Sequence, residues 1–380
     1  TGAVSLEHIM LDQVDRIEIV RGNVSAIHGS GAVGGVIQVF TRQGAGDPTV
    51  FATVEQGSLG TSRRQMGTQG SVGQFGYSVS VSRLDTRGIN AANIAQTTNA
   101  NPDLDGYTNE NRTLALSYKL NADHQLGLRS TQFNGRFDYD VPGSFSSPQD
   151  VHKGGAKIDS NSFFWSGRLN PIWSARLSYT DAKERNTTQT LGSFSFATEA
   201  ETRSQTTSWS NKFDLDSWVL SWGADHQSQG IDMSTDGVSG LSRQRSASAL
   251  YGGAVFNRNA HGLQLNARRD HVQGMSHKDS FYLGYGFNLN RQWKLIASHS
   301  TAFNVPPLGY LYDPYSGNPN LRPETAETQE FGLQWAAGPH RLRTTWFDTR
   351  TSDLLLYGFN TGQVGNVSRV KNQGLETSYS

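Results

Sequence analysis

From about residue 48 onward, apolar and polar side chains take turns along most of the chain. Leu114, Leu116, Tyr118 and Leu120 are separated by Ala115, Ser117 and Lys119, and the same beat runs through Phe75, Tyr77, Val79 and Val81. It returns in Trp173, Ala175, Leu177 and Tyr179, in Trp218, Leu220, Trp222 and Ala224, and in Phe281, Leu283, Tyr285, Phe287 and Leu289. Successive side chains of an extended strand point to opposite faces, so this alternation predicts antiparallel strands with one oily and one wet face. About sixteen such segments can be counted, each of roughly ten residues, the length a tilted strand needs to cross hydrocarbon.

The joins between segments point to a class. Short ones at Gln74, 121–124, 170–171, Asp216, Asn290 and Gly338 alternate with long ones at 86–109, 135–160, 183–202, 229–245 and 303–326. Outer-membrane barrels have short turns at one end and long loops at the other, an asymmetry that a soluble sandwich has no reason to adopt. Within hydrocarbon every backbone N–H must find a partner in the protein, so a spanning sheet has to close on itself. The polar face, with Arg63, Gln65, Thr68 and Gln69 or Ser204, Thr206 and Ser208, suits a hydrated lumen. The fold class predicted is all-β, a transmembrane antiparallel barrel. A large soluble all-β protein with one solvated face is the alternative.

Residues 1–46 differ. They read as a strand (Arg16 to Val20), a glycine-rich turn and a second strand (Val36 to Phe40), followed by a Gly-Ala-Gly-Asp-Pro linker. The division predicted is therefore 1–46 as a small separate unit and 47–380 as barrel. Gly29, Gly31 and Gly34 satisfy G-x-G-x-x-G, but a dinucleotide loop must open a helix, and these glycines lead into Val36-Ile37-Gln38-Val39-Phe40. A tight turn needing positive φ explains them better.

Composition narrows the choice further. Lys plus Arg is 33 and Asp plus Glu is 33, so no bulk charge gathers nucleic acid. Charged residues make up 17% against roughly 25% in soluble domains. With no cysteine, disulfides, thiolate metal sites and cysteine nucleophiles are excluded. No H-E-x-x-H or G-x-S-x-G occurs, and nothing points to an enzyme or to catalytic residues. His271 and His277 share a short loop, where they read as solvated histidines or as ligands to metal or haem. Asp138, Asp140, Asp150 and Asp159 offer oxygens for Ca²⁺, with turn formation as the alternative. Thr301 to Trp335 combines prolines, Tyr310, Tyr312, Tyr315 and a Gly-Asn-Pro-Asn turn, which predicts a structured loop whose aromatics suit an amphipathic ligand.

Three stretches resemble the TonB-dependent outer-membrane transporters. Leu11 to Gly44, with its Arg-Ile-Glu-x-x-Arg-Gly run and Gly-Ala-x-Gly-Gly-Val turn, resembles the closing part of that family's plug domain. Asn318 to Gln334 resembles a barrel motif, with Pro323, Glu324, Glu330 and Gly332 in place, and Gly365 to Ser380 is similar to the strand that follows. Pro306 to Leu321 and Asn101 to Ser117 look closest to the cobalamin-transporting subgroup. Haem receptors are expected to place a histidine before the N-P-N-L box, and Val305 to Gly317 has none.

The resemblance implies a barrel of about 22 strands around a plug, of which this chain is expected to hold about sixteen and the second half of the plug. It implies residence in the bacterial outer membrane and contact with its lipid. It further implies active uptake of a large scarce nutrient, cobalamin or another corrinoid, with a ferric siderophore or haem as alternative. The TonB–ExbB–ExbD complex would supply the energy, through a TonB-binding segment outside this chain. Tyr310, Tyr312 and Tyr315 are the expected ligand contacts, and Arg16, Glu18 and Arg21 the expected polar contacts between plug and wall. Asp138, Asp140 and Asp150 occupy the place where that subgroup holds calcium in its outer loops.

Overall fold

The computed structural model describes residues 5–93, 95–97, 99–141, 147–358 and 360–380. Near the start, β1 (Val14–Arg21) and β2 (Gly35–Thr41) pair antiparallel and flank a one-turn helix, α1 (Ser25–His28). Both strands run slightly longer than the apolar pattern alone suggests.

The alternating segments then build one sixteen-stranded antiparallel sheet in strict chain order. Its first half comprises β3 (Thr49–Gln56), β4 (Ser62–Val72), β5 (Phe75–Thr86), β6 (Tyr107–Lys119), β7 (His124–Tyr139), β8 (Val151–Asn170), β9 (Trp173–Leu191) and β10 (Phe196–Leu215). The second half is β11 (Trp218–Thr235), β12 (Val238–Arg258), β13 (His261–Val272), β14 (Lys278–Asn288), β15 (Trp293–Asn304), β16 (Glu324–Ala337), β17 (His340–Gly358) and β18 (Gln363–Tyr379). Every strand of this sheet pairs with its chain neighbours, and β3 and β18 form the two edges.

The sheet is inside out. Along β5, Gly76, Ser78, Ser80 and Ser82 are buried while Phe75, Val79 and Val81 are exposed. Val50, Leu250, Leu265, Phe281, Leu283, Phe331 and Leu375 are likewise exposed on the outer face. Such a surface is stable only against hydrocarbon. Aromatic pairs ring the short-turn end: Trp173 on Phe213 (ring centroids 5.6 Å apart), Trp218 on Phe256 (4.8 Å) and Trp293 beside Trp335 (6.2 Å). Amphipathic rings favour that headgroup level. No helix among the described residues is long and apolar enough to cross a membrane.

Two expected loops are not loops. The segment 183–202 is mostly strand, because β9 and β10 pair as far as Thr190 and Phe196 and leave only 192–195 as a tip. In 229–245, β11 and β12 continue to a two-residue turn at Asp236 and Gly237. Strands of about 20 residues, tilted by about 45°, rise roughly 45 Å, well past an apolar band about 25 Å tall. Above that band both faces are wet, so the strands go on pairing while the apolar beat that marks them in sequence stops. The remaining long connections are 87–106, 140–150 and 305–323. A short turn at Asn259 and Ala260 escapes the sequence pattern.

Candidate ligand-binding site

Residues 5–35 lie against the polar face of the sheet and touch strands far apart in its order. Ser5 donates to Glu184 on β9 (3.1 Å), Asp12 pairs with Arg63 on β4, and Gln13 donates to Ser82 on β5 (3.2 Å). The Asn23 amide donates to the carbonyl of Ala326 on β16 (3.3 Å). Only a sheet curved around this unit brings β4, β9 and β16 to it at once.

His8 is the most enclosed contact, 1% exposed. Its ring stacks on Tyr107 and Phe137, its Nδ1 lies 2.9 Å from the Tyr107 hydroxyl, and its carbonyl accepts from the amides of Asn109 (2.9 Å) and Asn111 (3.3 Å). Gly135 floors the socket, where a Cβ would collide with the imidazole. Burial pushes the His8 pKa down, with Glu7 and Glu184 acting weakly in the other direction.

The glycine turn forms the tip of the unit. Gly29 has φ +80°, and its open face lies flat on the Arg268 guanidinium of β13, so both backbone conformation and space exclude a side chain. Gly31 N–H donates to the Phe303 carbonyl (3.1 Å), and Val305 N–H donates to Ser30 Oγ (3.0 Å). The turn therefore leads into a strand and grips the wall, which disposes of the dinucleotide reading. Arg268 is held by two carboxylates, Asp225 at 2.8 Å and Asp270 at 3.0 Å.

Between this tip and the inner faces of β9–β13 lies a cavity of about 910 Å³. Ser204, Thr206, Ser208, Gln227, Gln229 and Tyr251 line it with hydroxyls and amides, and Val305, Pro307 and Leu308 close one side. The closing segment 305–323 is firmly built. A second short helix, α2 (Leu308–Tyr312), buries Leu308 against Ile231 and Leu241, and Leu311 against Leu321 and Val364. Asn318 donates to the Val364 carbonyl (3.0 Å), and Arg322 pairs with Asp353 (2.6 Å).

The tyrosines expected to touch ligand do not line this cavity. Tyr310 and Tyr312 lie partly exposed on α2, the latter under the Arg243 guanidinium at 5.4 Å, and Tyr315 is 85% exposed. Arg16 and Glu18 pair with one another (2.6 Å) inside the small unit, whereas Arg21 reaches the wall at Glu376 (3.7 Å) across an exposed gap. His271 sits at the end of β13 and His277 in the following loop, both exposed.

The aspartates regroup. Asp140 joins Asp103 and Asp105, with one carboxylate oxygen of each within 4.8 Å of the others, and its Oδ2 is buried without a partner. Burial, then the nearby Asp105 and Asp140, push the Asp103 carboxyl up. Asp150 is spent elsewhere, accepting from Ser193 N–H (2.7 Å) and Ser147 N–H (2.9 Å), which hold its pKa down and stitch neighbouring loops together. Asp138 uses its backbone N–H on the Gly106 carbonyl (2.9 Å).

The residues that build the cavity, Asp225, Arg245, Arg268 and Asp270, carry no sequence motif. One signal was available: Leu263, Leu265 and Ala267 face out, so Arg268 and Asp270 fall on the inward positions of the same strand.

An apolar-outside, polar-inside antiparallel sheet curved around a polar unit, with a roomy cavity between the two, has the architecture of an outer-membrane β-barrel. The chain belongs to the TonB dependent receptor-like, beta-barrel family, which matches residues 55–380. It is 25% identical over 345 residues to the vitamin B12 transporter BtuB of Photobacterium profundum, covering 90% of this chain and 54% of that protein. It is 24% identical over 371 residues to the vitamin B12 transporter BtuB of Vibrio cholerae, covering 96% and 59%. The chain thus spans between half and two thirds of the length of these curated relatives. Among solved structures, the ferric enterobactin receptor PfeA shares the fold with a TM-score of 0.82 at 18% identity, covering 97% of this chain and 66% of that one. The copper transporter OprC does so at 0.82 and 14%, covering 98% and 65%.

Proposed function

We propose that this protein takes up cobalamin, or a closely related corrinoid, across the bacterial outer membrane. In this reading residues 1–46 are the closing part of the plug, 47–380 are barrel wall, and the cavity under α2 receives ligand from outside. The charge balance of that cavity carries the reading. Of the four Lys and Arg residues that border it, Lys183 and Arg203 turn their side chains to the outer face shared by Leu177 and Trp209, and Arg268 is held by Asp225 and Asp270. That leaves Arg245 as the cation facing the cavity without a carboxylate partner among the described residues. Apart from that single guanidinium, the inward lining is mainly amides, hydroxyls and carboxylates that already have partners, suited to a large ligand of little net charge fringed with amides and poorly suited to a multiply anionic ferric catecholate. The similarity to the vitamin B12 transporters supports the same choice. The likeness in fold to siderophore receptors favours a ferric siderophore as the alternative, with haem behind it for want of a histidine in the closing segment.

Unit and wall meet through scattered polar contacts, among them the exposed ion pair Arg21–Glu376 and the more enclosed pair Asp12–Arg63. An exposed pair such as Arg21–Glu376 is worth about 0–1 kcal/mol and exchanges partners readily, so a pull on the unit would release that contact first. We assign that pull to a TonB–ExbB–ExbD-type complex driven from the inner membrane. Calcium fits the outer loops at Asp103, Asp105 and Asp140, where the unpartnered oxygen and the mutual repulsion of the carboxylates suit a hard cation. When bound it would fix 87–106 against 140–150. Tyr310, Tyr312 and Tyr315 keep a role only at the outer approach to the cavity.

The test is titration of the full-length protein with cyanocobalamin and with a ferric catecholate, each with and without Ca²⁺. Saturable corrinoid binding strengthened by Ca²⁺ is expected. Binding of the ferric chelate with no response to cyanocobalamin would replace this reading by the siderophore one.

A further inference from the structure

One cation of the cavity is left over. Arg245, on β12, borders the cavity and is only 7% exposed, yet it has no carboxylate partner among the described residues. Its Nη1 donates to the Pro306 carbonyl (2.9 Å) and its Nη2 to Gln229 Oε1 (2.8 Å), while Nε is buried with no acceptor. A relay fixes it in place: Gln229 donates to Gln227 Oε1 (2.9 Å), and Gln227 donates to Ser204 Oγ (2.9 Å). Arg268, on the neighbouring strand β13, shows the contrast, with two carboxylates on one guanidinium. A buried guanidinium held by neutral acceptors alone lacks a counterion.

We propose that Arg245 is the specificity-determining residue for a single anionic phosphate group on the ligand, its guanidinium serving as the counterion. The proposal rests on the corrinoid reading and sharpens it, because cobalamin is neutral overall and carries one phosphodiester in its nucleotide loop. Arginine suits the task through its planar fork, two edges of which the Pro306 carbonyl and Gln229 already orient. Since Pro306 lies in the segment that closes the cavity, the same guanidinium also ties that segment to the wall, and a phosphate entering the cavity would meet a positive charge already fixed in place.

The experiment titrates the full-length protein in detergent with cobalamin, cobinamide phosphate and cobinamide; the last two differ by the phosphate alone. In the wild type, cobinamide phosphate should bind about 10- to 100-fold more tightly than cobinamide, the range for a hydrogen bond to a charged group. Arg245→Gln should bring that ratio close to one even where loss of the tie to Pro306 weakens both ligands, because damage to the fold alone would leave the ratio unchanged. A wild-type ratio near one, which needs no variant to measure, would overturn the proposal. So would a variant that weakens both ligands equally. If cobinamide binds but phosphate makes no difference, the corrinoid reading stands and only the role of Arg245 falls; if no corrinoid binds, both fall.

Discussion

The inside-out sheet can be tested at one pair of adjacent residues. Leu265 and Gln264 are neighbours on β13, and the register, Leu265 opposite Leu283 and Ala254, sets the first against lipid and the second toward the lumen. Leu265 is four positions from His261, whose ring packs with Phe287 at the short-turn end. At about 3.3 Å per residue and a tilt near 45°, it stands roughly 9 Å above that girdle, toward the middle of an apolar band about 25 Å tall. Arginine there should cost about 2–4 kcal/mol. Gln264→Arg places the same charge in a hydrated lumen and should change stability by no more than about 1 kcal/mol. The native chain supplies a control: Arg269, four positions further on the outward face, stands roughly 19 Å above the girdle, near the far edge of the band where an arginine costs about 0–1 kcal/mol, and it pairs with Asp279 at 2.6 Å. Reversible urea unfolding of the full-length protein in phosphatidylcholine vesicles measures all three positions. Equal costs for the two arginine variants, or a larger cost at Gln264, would refute the assignment of faces.

Gly135→Val should evict His8 from its socket, losing the Tyr107 hydrogen bond and the ring stacking, together about 2 kcal/mol, so that amide exchange across residues 6–13 quickens roughly 30-fold. Unchanged exchange would mean the segment is held by other contacts. The same segment should respond to acid. The docked His8 pKa lies below 6.5, so the undocked form takes up a proton more readily; docking is strongest above about pH 6.5 and weakens as the pH falls below it toward the depressed value. Exchange protection, corrected for intrinsic rates, should fall between about pH 7 and 5 in the wild type and stay flat in His8→Gln; a flat wild-type profile contradicts the burial argument. For the outer loops, Asp140→Asn should weaken terbium or calcium binding by about tenfold or more, whereas Asp150→Asn should leave affinity nearly unchanged because backbone N–H groups already occupy that carboxylate. The reverse order, read from terbium luminescence, would restore Asp150 as a ligand.

Much of the architecture follows from chain-local physics. Strand pairing in this sheet joins only sequence neighbours, so the period-two beat of Phe75 to Val81 or Phe281 to Leu289 suffices to give strand count, facing and order. Turn residues mark where most pairs reverse. The beat carries information only where one face meets hydrocarbon, which is why 183–202 and 229–245 look like loops in sequence and are hairpins in space. The candidate site depended on curvature. Asp12 meets Arg63, and Ser30 meets Val305 across 275 residues, because a bent wall encloses the unit, and no local pattern states which strands will face one another across a lumen. For the same reason Asp140 gathers Asp103 and Asp105 from another loop, and Arg245 stands without a carboxylate partner among the described residues: each is a relation between distant segments, fixed only when the sheet has curved around its contents.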